Sequence, residues 1–331
     1  MRSLLFCSAA FLLLISCGTE QIDKPGEVRK YYPKEYLVPT PQHVHSANSE
    51  ISIDLYSRSF AQGDVVYVEI LSSDVDDISS VHAQYRGLRI PFTKKSWGYR
   101  GFFSIPTEMN PGENQIRVSY SHKGEKELSS SFNVADAHFK VFRSALDLGS
   151  FSDESKPLSQ GTLTFIEEST KKKNKAFSEM IPDCISASLS HPRDLHFITS
   201  EFYSRRVYMR YKERNGKRIQ LKEVNKIHSG MDLRGAEGTP VFAMTAGKVS
   251  LASPLYYEGN MIILNHGEGI YSYYMHMSKL LVSEGSNVSG GQKIGEVGST
   301  GASTASHLHV SLVVHGFAAD PLSLICLPIR D

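Results

Sequence analysis

Glycine spacing constrains this chain more than any other feature. Between Gly230 and Gly301, glycines recur at Gly238, Gly247, Gly259, Gly267, Gly285, Gly290, Gly291, Gly295 and Gly298. Glycine weakens a helix interior and supplies the positive φ that tight hairpin turns require. The apolar runs between these glycines are short and β-branched, as in Met261-Ile-Ile-Leu264 and Lys293-Ile-Gly-Glu-Val297. Antiparallel sheet with tight turns fits such a pattern; helix does not.

A length of 331 residues suits about two domains. Upstream, residues 49–136 also read as strands. Ile51, Ile53 and Leu55 form one alternating face, Val66, Val68 and Ile70 a second, and Ile116, Val118 and Tyr120 a third. Turn signals such as Gln62-Gly-Asp64 and Asn110-Pro-Gly-Glu113 separate them, which predicts a small antiparallel β-sandwich of immunoglobulin-like type. It carries no catalytic constellation, so spacing or positioning is its expected role. Residues 137–195 read as a connector, with a surface helix over Phe165 to Met180 and a solvated lysine run at Lys171 to Lys173. Residues 17–48 are polar and broken by Pro25, Pro33, Pro39 and Pro41, which reads as a tether. His43-Val-His45 falls in that tether and is expected to be solvated, with no carboxylate partner at useful spacing.

The N-terminus carries an address. Arg2 precedes an apolar run from Leu4 to Ile15, too short to span a bilayer and suited to a signal peptide over residues 1–16. Leu14-Ile15-Ser16-Cys17 resembles a bacterial lipobox, which implies cleavage before Cys17 and lipid on that residue. The expected location is therefore outside the cytoplasm, lipid-anchored to a bacterial membrane and facing the periplasm or cell envelope. Cys7 leaves with the signal, so Cys184 and Cys326 remain, either paired or as two free thiols. A formal net charge of +1 leaves no electrostatic footprint for nucleic acid.

Chemistry concentrates in two short stretches, His228-Ser-Gly-Met-Asp232 and His307-Leu-His309. A catalytic zinc takes three protein ligands and keeps a fourth position for water. His228, Asp232 and one histidine of the His-x-His pair would supply that set. Residues i and i+2 of a strand share a face, so His307 and His309 would enter one pocket, one as ligand and one free for proton transfer. Tyr273-Tyr-Met-His276 offers a further histidine. Such a site belongs to a hydrolase.

From about Ile198 to Leu324 the chain resembles the lysostaphin- and LytM-type zinc endopeptidases of bacterial peptidoglycan. The resemblance rests on an ordered set: Ile198-Thr-Ser-Glu-Phe202 with Arg205 or Arg206, His228-Ser-Gly-Met-Asp232, Gly238-Thr-Pro-Val241, Ala246-Gly-Lys-Val249, Asn265-His-Gly267, Tyr274-Met-His276, Gly290-Gly-Gln-Lys-Ile-Gly295, Gly298-Ser-Thr-Gly301, His307-Leu-His309 and Asp320-Pro321. It implies an antiparallel β-sheet peptidase domain over residues 196–331 holding one Zn2+ through His228, Asp232 and His309. It also implies that His276 and His307 are the free catalytic histidines, with zinc-bound water attacking the amide. His307 is expected as general base and His276 as stabiliser of the oxyanion, and the sequence leaves their exchange open. His266 matches a structural position of the family. His315, in a turn before Gly316, reads as a surface residue, and Tyr274 either touches substrate or packs in the core. Phe202-Tyr203 and Thr304-Ala-Ser306 depart from the family pattern near the groove, and the charged insert between Arg206 and His228 reads as a loop over it.

The expected partners are peptide stems and cross-bridges of peptidoglycan, and the membrane through the N-terminal lipid. The alternative reading is a non-catalytic lipoprotein that binds cell wall or activates another hydrolase; members of that kind lack ligand positions, and here all are present. A carrier module of biotinyl or lipoyl type, suggested by the hairpin from Gly285 to Gly298, would need a lysine at a turn, whereas Lys293 is predicted within a strand.

Overall fold

The computed structural model describes residues 39–331 except 73–74, 194–197 and 222. The signal peptide, Cys17 and most of the expected tether lie outside the described residues. Described strands of the N-terminal part are β1 (Gln42–Ala47), β2 (Ile51–Ser57), β3 (Val65–Ser72), β4 (Ser79–Tyr85), β5 (Leu88–Ile90), β6 (Thr93–Lys95), β7 (Gly98–Ser104), β8 (Gly112–Ser121) and β9 (Glu125–Val134). They form two antiparallel sheets, ordered β1-β2-β3-β7-β6 and β5-β4-β8-β9. The three alternating faces read from sequence meet in one core, where Ile53, Val68, Val118 and Tyr120 are fully buried. The last part of the expected tether is strand instead. Gln42 to Ala47 pair along β2 as an edge strand, because main-chain hydrogen bonding there needs no apolar side chains.

β3 is buried on both faces. Val66, Val68 and Ile70 enter the core shared by the two N-terminal sheets, while Val65 and Tyr67 join the core of the C-terminal part together with Phe102 of β7. The two parts are therefore packed directly against each other. Arg58 strengthens the contact, donating to Asp64 Oδ1 at 2.7 Å and to Asp320 Oδ2 at 2.8 Å.

The connecting region contributes β10 (Val141–Leu146) and α1 (Gln160–Ser178). Ser159 caps α1 by accepting from the Thr162 amide at 3.1 Å, which satisfies one of the free donors of the first turn. The lysine run is only partly a solvated face. Lys171 pairs with Glu167 along the helix, but Lys173 pairs with Glu258 and Lys172 donates to Ser253 Oγ, fastening α1 to the C-terminal sheet.

The C-terminal part continues with β11 (Ile198–Ser200), β12 (Arg205–Tyr208), β13 (Tyr211–Arg214), β14 (Lys217–Gln220), β15 (Val224–Ile227), β16 (Met231–Arg234), β17 (Pro240–Phe242) and β18 (Gly247–Leu255). It ends with β19 (Gly259–Gly267), β20 (Ile270–Met277), β21 (Lys279–Leu280), β22 (Asn287–Val288), β23 (Lys293–Glu296), β24 (His307–Val314), β25 (Phe317–Ala319) and α2 (Pro321–Leu324). Its main sheet is antiparallel, ordered β11-β16-β24-β20-β19-β18-β22, with β25 beside β24. The charged insert is not a plain loop. It supplies the hairpin β13–β14 and the strands β12 and β15, with β10 parallel to β12. Lys293 is the first residue of β23 and pairs with Glu296.

Candidate functional site

Strand register builds the site. β16 pairs with β24 so that Asp232 stands directly opposite His309 and Arg234 opposite His307. Directly paired residues project from the same face, which brings the carboxylate and the imidazole together. His228 reaches them from the turn after β15, and Gly230 makes that approach possible. A Cβ on Gly230 would lie 2.1 Å from Ser311 Oγ and 2.6 Å from His309 Nε2, so only glycine fits between the two ligand-bearing segments.

Three donor atoms converge as a result. His228 Nε2 lies 3.0 Å from Asp232 Oδ1 and 2.9 Å from His309 Nδ1, and His309 Nδ1 lies 2.9 Å from Asp232 Oδ1. Donors at 2.0–2.1 Å from a tetrahedral zinc are spaced by about 3.3 Å, so this triangle needs only slight widening to accept the ion. The remaining atoms are fixed from behind. His228 Nδ1 lies 3.1 Å from the Glu201 carbonyl and 3.0 Å from Arg206 Nη2, contacts that hold the ring with Nε2 towards the triangle. Ser311 Oγ, 2.9 Å from His309 Nε2, likewise holds that ring with Nδ1 towards the triangle. Arg206 donates to Asp232 Oδ2 at 2.6 Å, which turns Oδ1 towards the histidines; it is Arg206, not Arg205, that serves the site.

Electrostatics agrees with ligation. Burial pushes the Asp232 carboxyl up, but the His228 and His309 imidazoles beside it outweigh that and hold it well below the usual carboxylate range. Burial pushes His309 down to about 3. An ionised carboxylate beside a neutral imidazole is the state a metal requires.

His276 and His307 flank this triangle with ring centroids 4.9 Å apart. His276 Nδ1 donates to the Thr300 carbonyl at 2.8 Å and His307 Nδ1 to the Ala305 carbonyl at 2.7 Å, so each keeps Nε2 free as an acceptor. His307 Nε2 is 3.7 Å from Asp232 Oδ1. Burial, with the neighbouring His307 as second cause, pushes His276 down to about 4.

The path of β20 decides between the two readings of Tyr274 in favour of core packing. Tyr274 pairs with Val310 on the core face and is fully buried, its hydroxyl accepting from the Met244 amide and from Ser272. Tyr273 and Met275, opposite Ser311 and His309, line the groove instead. His276 would share the Tyr274 face in regular strand. A register shift against β19 and a φ of +63° at His276 turn it back to the groove. The pattern around Tyr273 offered no sign of this, because the phase of β20 against β24 is set by pairing.

The groove encloses ≈ 1050 Å³. The connector walls it, through Phe142, Leu148 and Phe151 before α1 and Phe177 within it. Thr304 and Ser306, where the sequence departs from the family, lie along its rim.

Other candidates fall elsewhere. His266 is fully buried between the Ala246 carbonyl at 2.7 Å and Ser272 Oγ at 2.8 Å, away from the ligand triangle, and burial pushes it down to about 4. His315 does sit in a turn, but it is half-buried and contacts the Phe102 carbonyl at 2.9 Å, so the surface reading is corrected. Cys184 and Cys326 are both free thiols, the first half-buried and the second buried. His43 and His45 are exposed as expected, but they do have a carboxylate partner. β1 places both within hydrogen-bonding distance of Asp54 Oδ1.

Comparison with known proteins agrees with this geometry. Residues 226–321 match the family model described as Peptidase family M23. The peptidoglycan DD-endopeptidase ShyA of Vibrio cholerae is 42% identical over 89 residues, covering 27% of this chain and 21% of that protein. The DD-carboxypeptidase/endopeptidase Mpg of Neisseria meningitidis is 38% identical over 103 residues, 31% of this chain and 24% of its own. Lysostaphin of Staphylococcus staphylolyticus is 43% identical over 105 residues, 30% of this chain and 22% of its own. The match thus spans only about a fifth to a quarter of each relative's length. A solved Pseudomonas aeruginosa chain, described as a candidate M23 peptidase, shares the fold over 81% of this chain and 96% of its own, with a TM-score of 0.53 and 22% identity.

Proposed function

We propose, for a chain that carries a peptidase family M23 domain over residues 226–321, that it is a zinc-dependent endopeptidase hydrolysing peptide cross-links of bacterial peptidoglycan. One observation carries this reading: three donor atoms within 3.0 Å of one another at the floor of a groove, beside two histidines with free Nε2 atoms. The relatives described as peptidoglycan endopeptidases support the substrate class. His228, Asp232 and His309 would hold the metal. Zinc bound there would acidify a water molecule and polarise the scissile carbonyl.

The chain's own residues do the rest. His307, with its proton on Nδ1 anchored to Ala305, takes a proton at Nε2 and returns it to the leaving amine. The oxyanion role expected for His276 fits its placement poorly. With Nδ1–H committed to Thr300, donation from Nε2 requires the imidazolium, which burial opposes at neutral pH. We therefore assign His276 as the acceptor that orients the attacking water. Tyr273 and the apolar wall of the connector would hold the peptide.

Digestion of purified peptidoglycan, with and without chelator, tests the reading. New amine and carboxyl ends should appear, vanish with chelator and return with zinc. Intact sacculi after zinc-loaded protein is added would favour the non-catalytic alternative, which nothing in the site supports. We also propose lipid on Cys17 and attachment to a bacterial membrane facing the periplasm or cell envelope, resting on the Leu14-Ile15-Ser16-Cys17 run. Mass spectrometry of the N-terminal peptide should find diacylglycerol on that cysteine; an unmodified terminus elsewhere would end this part. The immunoglobulin-like reading of the N-terminal sheets is supported by their shared core and antiparallel pairing.

A further inference from the structure

We propose that His43, His45 and Asp54 form a second metal site, remote in sequence from the groove, for a late first-row divalent cation such as Zn2+ or Cu2+. The register of β1 on β2 creates it. His45 is the direct cross-strand partner of Asp54, and His43 stands opposite Tyr56, so alternation puts both imidazoles on the face of the Asp54 carboxylate. His43 Nε2 and His45 Nδ1 lie 2.7 and 2.8 Å from Asp54 Oδ1, and the three donor atoms are all within 4.8 Å of one another.

The groups behind these donors are also in place. The His43 ring stacks on Tyr56 at 4.5 Å and 8°, which fixes the direction of its nitrogen. Ser52 Oγ donates to Asp54 Oδ2 at 3.3 Å, leaving Oδ1 for the histidines. Such second partners are what orient ligands in protein metal sites.

Charge supplies the reason for a cation. The Asp54 side chain is only 8% exposed, whereas those of His43 and His45 are 43% and 56% exposed. A buried carboxylate is costly unless compensated. Among the described residues its ion-pair partners are these two histidines, which are charged only when protonated. A divalent ion would compensate Asp54 without that condition. Two imidazole nitrogens and one carboxylate oxygen suit zinc, copper or nickel and not magnesium or calcium. The exposed imidazoles form the rim, so the remaining coordination positions face water. Bound there, the ion would staple the edge strand β1 to β2 and so fix the point where the N-terminal segment joins the fold.

The test is metal stoichiometry in the full chain. Chelator-stripped wild type, titrated with Zn2+ at micromolar free metal, should take up two equivalents per chain. The His43→Gln/His45→Gln variant should take up one. The His309→Ala variant, with the groove site impaired, should still take up one. Titrated with Cu2+, His309→Ala should give an electron paramagnetic resonance signal with coupling to two imidazole nitrogens, lost when His45→Gln is added. Asp54→Asn, which keeps the side-chain shape, should also lose the second equivalent; circular dichroism confirms that each variant is folded. No metal uptake by folded His309→Ala, or uptake unchanged by His43→Gln/His45→Gln in that background, would overturn the proposal. Neither result bears on the groove site, whose ligands are read independently in the His43→Gln/His45→Gln variant.

Discussion

Each histidine of the groove has one nitrogen near a named partner, and that choice would separate the proposed ligands from the proposed proton carriers. His309 presents Nδ1 to the triangle with Nε2 on Ser311, whereas His307, two residues earlier, ties Nδ1 to Ala305 and keeps Nε2 free. In the His43→Gln/His45→Gln background, where the groove site alone remains, His309→Ala should lose its zinc. His307→Ala should keep it and lose turnover by about 100- to 10,000-fold, the usual worth of general base catalysis. Zinc content measured beside peptidoglycan hydrolysis decides; metal lost from the His307 variant and kept by the His309 variant would exchange their roles. Gly230 acts at the same scale. A Cβ there would also lie 2.5 Å from the Val310 carbonyl, so the turn carrying His228 or the backbone of β24 must move, and Gly230→Ala should cost about 1–3 kcal/mol as an overpacked site and weaken zinc affinity as well. Unchanged affinity in that variant would show that the turn can yield without moving its ligand.

At the scale of strands, the candidate site was legible wherever chemistry is local and obscure wherever pairing decides. The motif His228-Ser-Gly-Met-Asp232 and the His-x-His of β24 announce a ligand set through residue type and spacing. The face occupied by Tyr273 does not, because it depends on the register of β20 against β24 and on the irregularity at His276. β1 was missed for a related reason: its side chains are mostly exposed, so no apolar alternation marks an edge strand held by main-chain bonds to β2. His266 of β19 makes a prediction at this level. Its ordinary value is 6.5, and burial pushes it down to about 4 in the fold. The unfolded chain therefore takes up a proton on falling through pH 6.5, while the folded chain resists until about pH 4. Stability from this residue is fully present above pH 6.5 and is lost as pH falls towards 4, by roughly 3 kcal/mol at most. Urea unfolding between pH 7 and 4.5 should show a smaller loss in His266→Gln than in wild type. Parallel losses would mean that other groups carry the acid sensitivity.

Across the whole molecule, the division into sandwich, connector and peptidase part that sequence suggests understates their union. Alternation in β3 was read for one face only, yet its other face carries Val65 and Tyr67 into the C-terminal core, a pairing of surfaces that local pattern does not encode. Arg100 of β7 extends the union. It is 2% exposed, donates to Asp183 and to the Ile185 carbonyl of the connector, and reaches the Arg330 carbonyl at 2.7 Å. The Asp183 side chain is 4% exposed, and a second cation, Lys95, stands 3.8 Å away. Removing one partner of such a pair strands a buried charge, whereas removing both does not. Arg100→Met should therefore destabilise the protein by about 3–5 kcal/mol, and Arg100→Met/Asp183→Asn should recover a large part of that loss. Because Arg100 joins all three regions, the single variant should also split one cooperative unfolding transition into two, with the N-terminal sheets melting apart from the C-terminal part. Calorimetry and urea titration of the three proteins test both statements. A single variant within about 0.5 kcal/mol of wild type, as for an ordinary surface change, would show that the apolar contact of β3 and β7 holds the parts together without it.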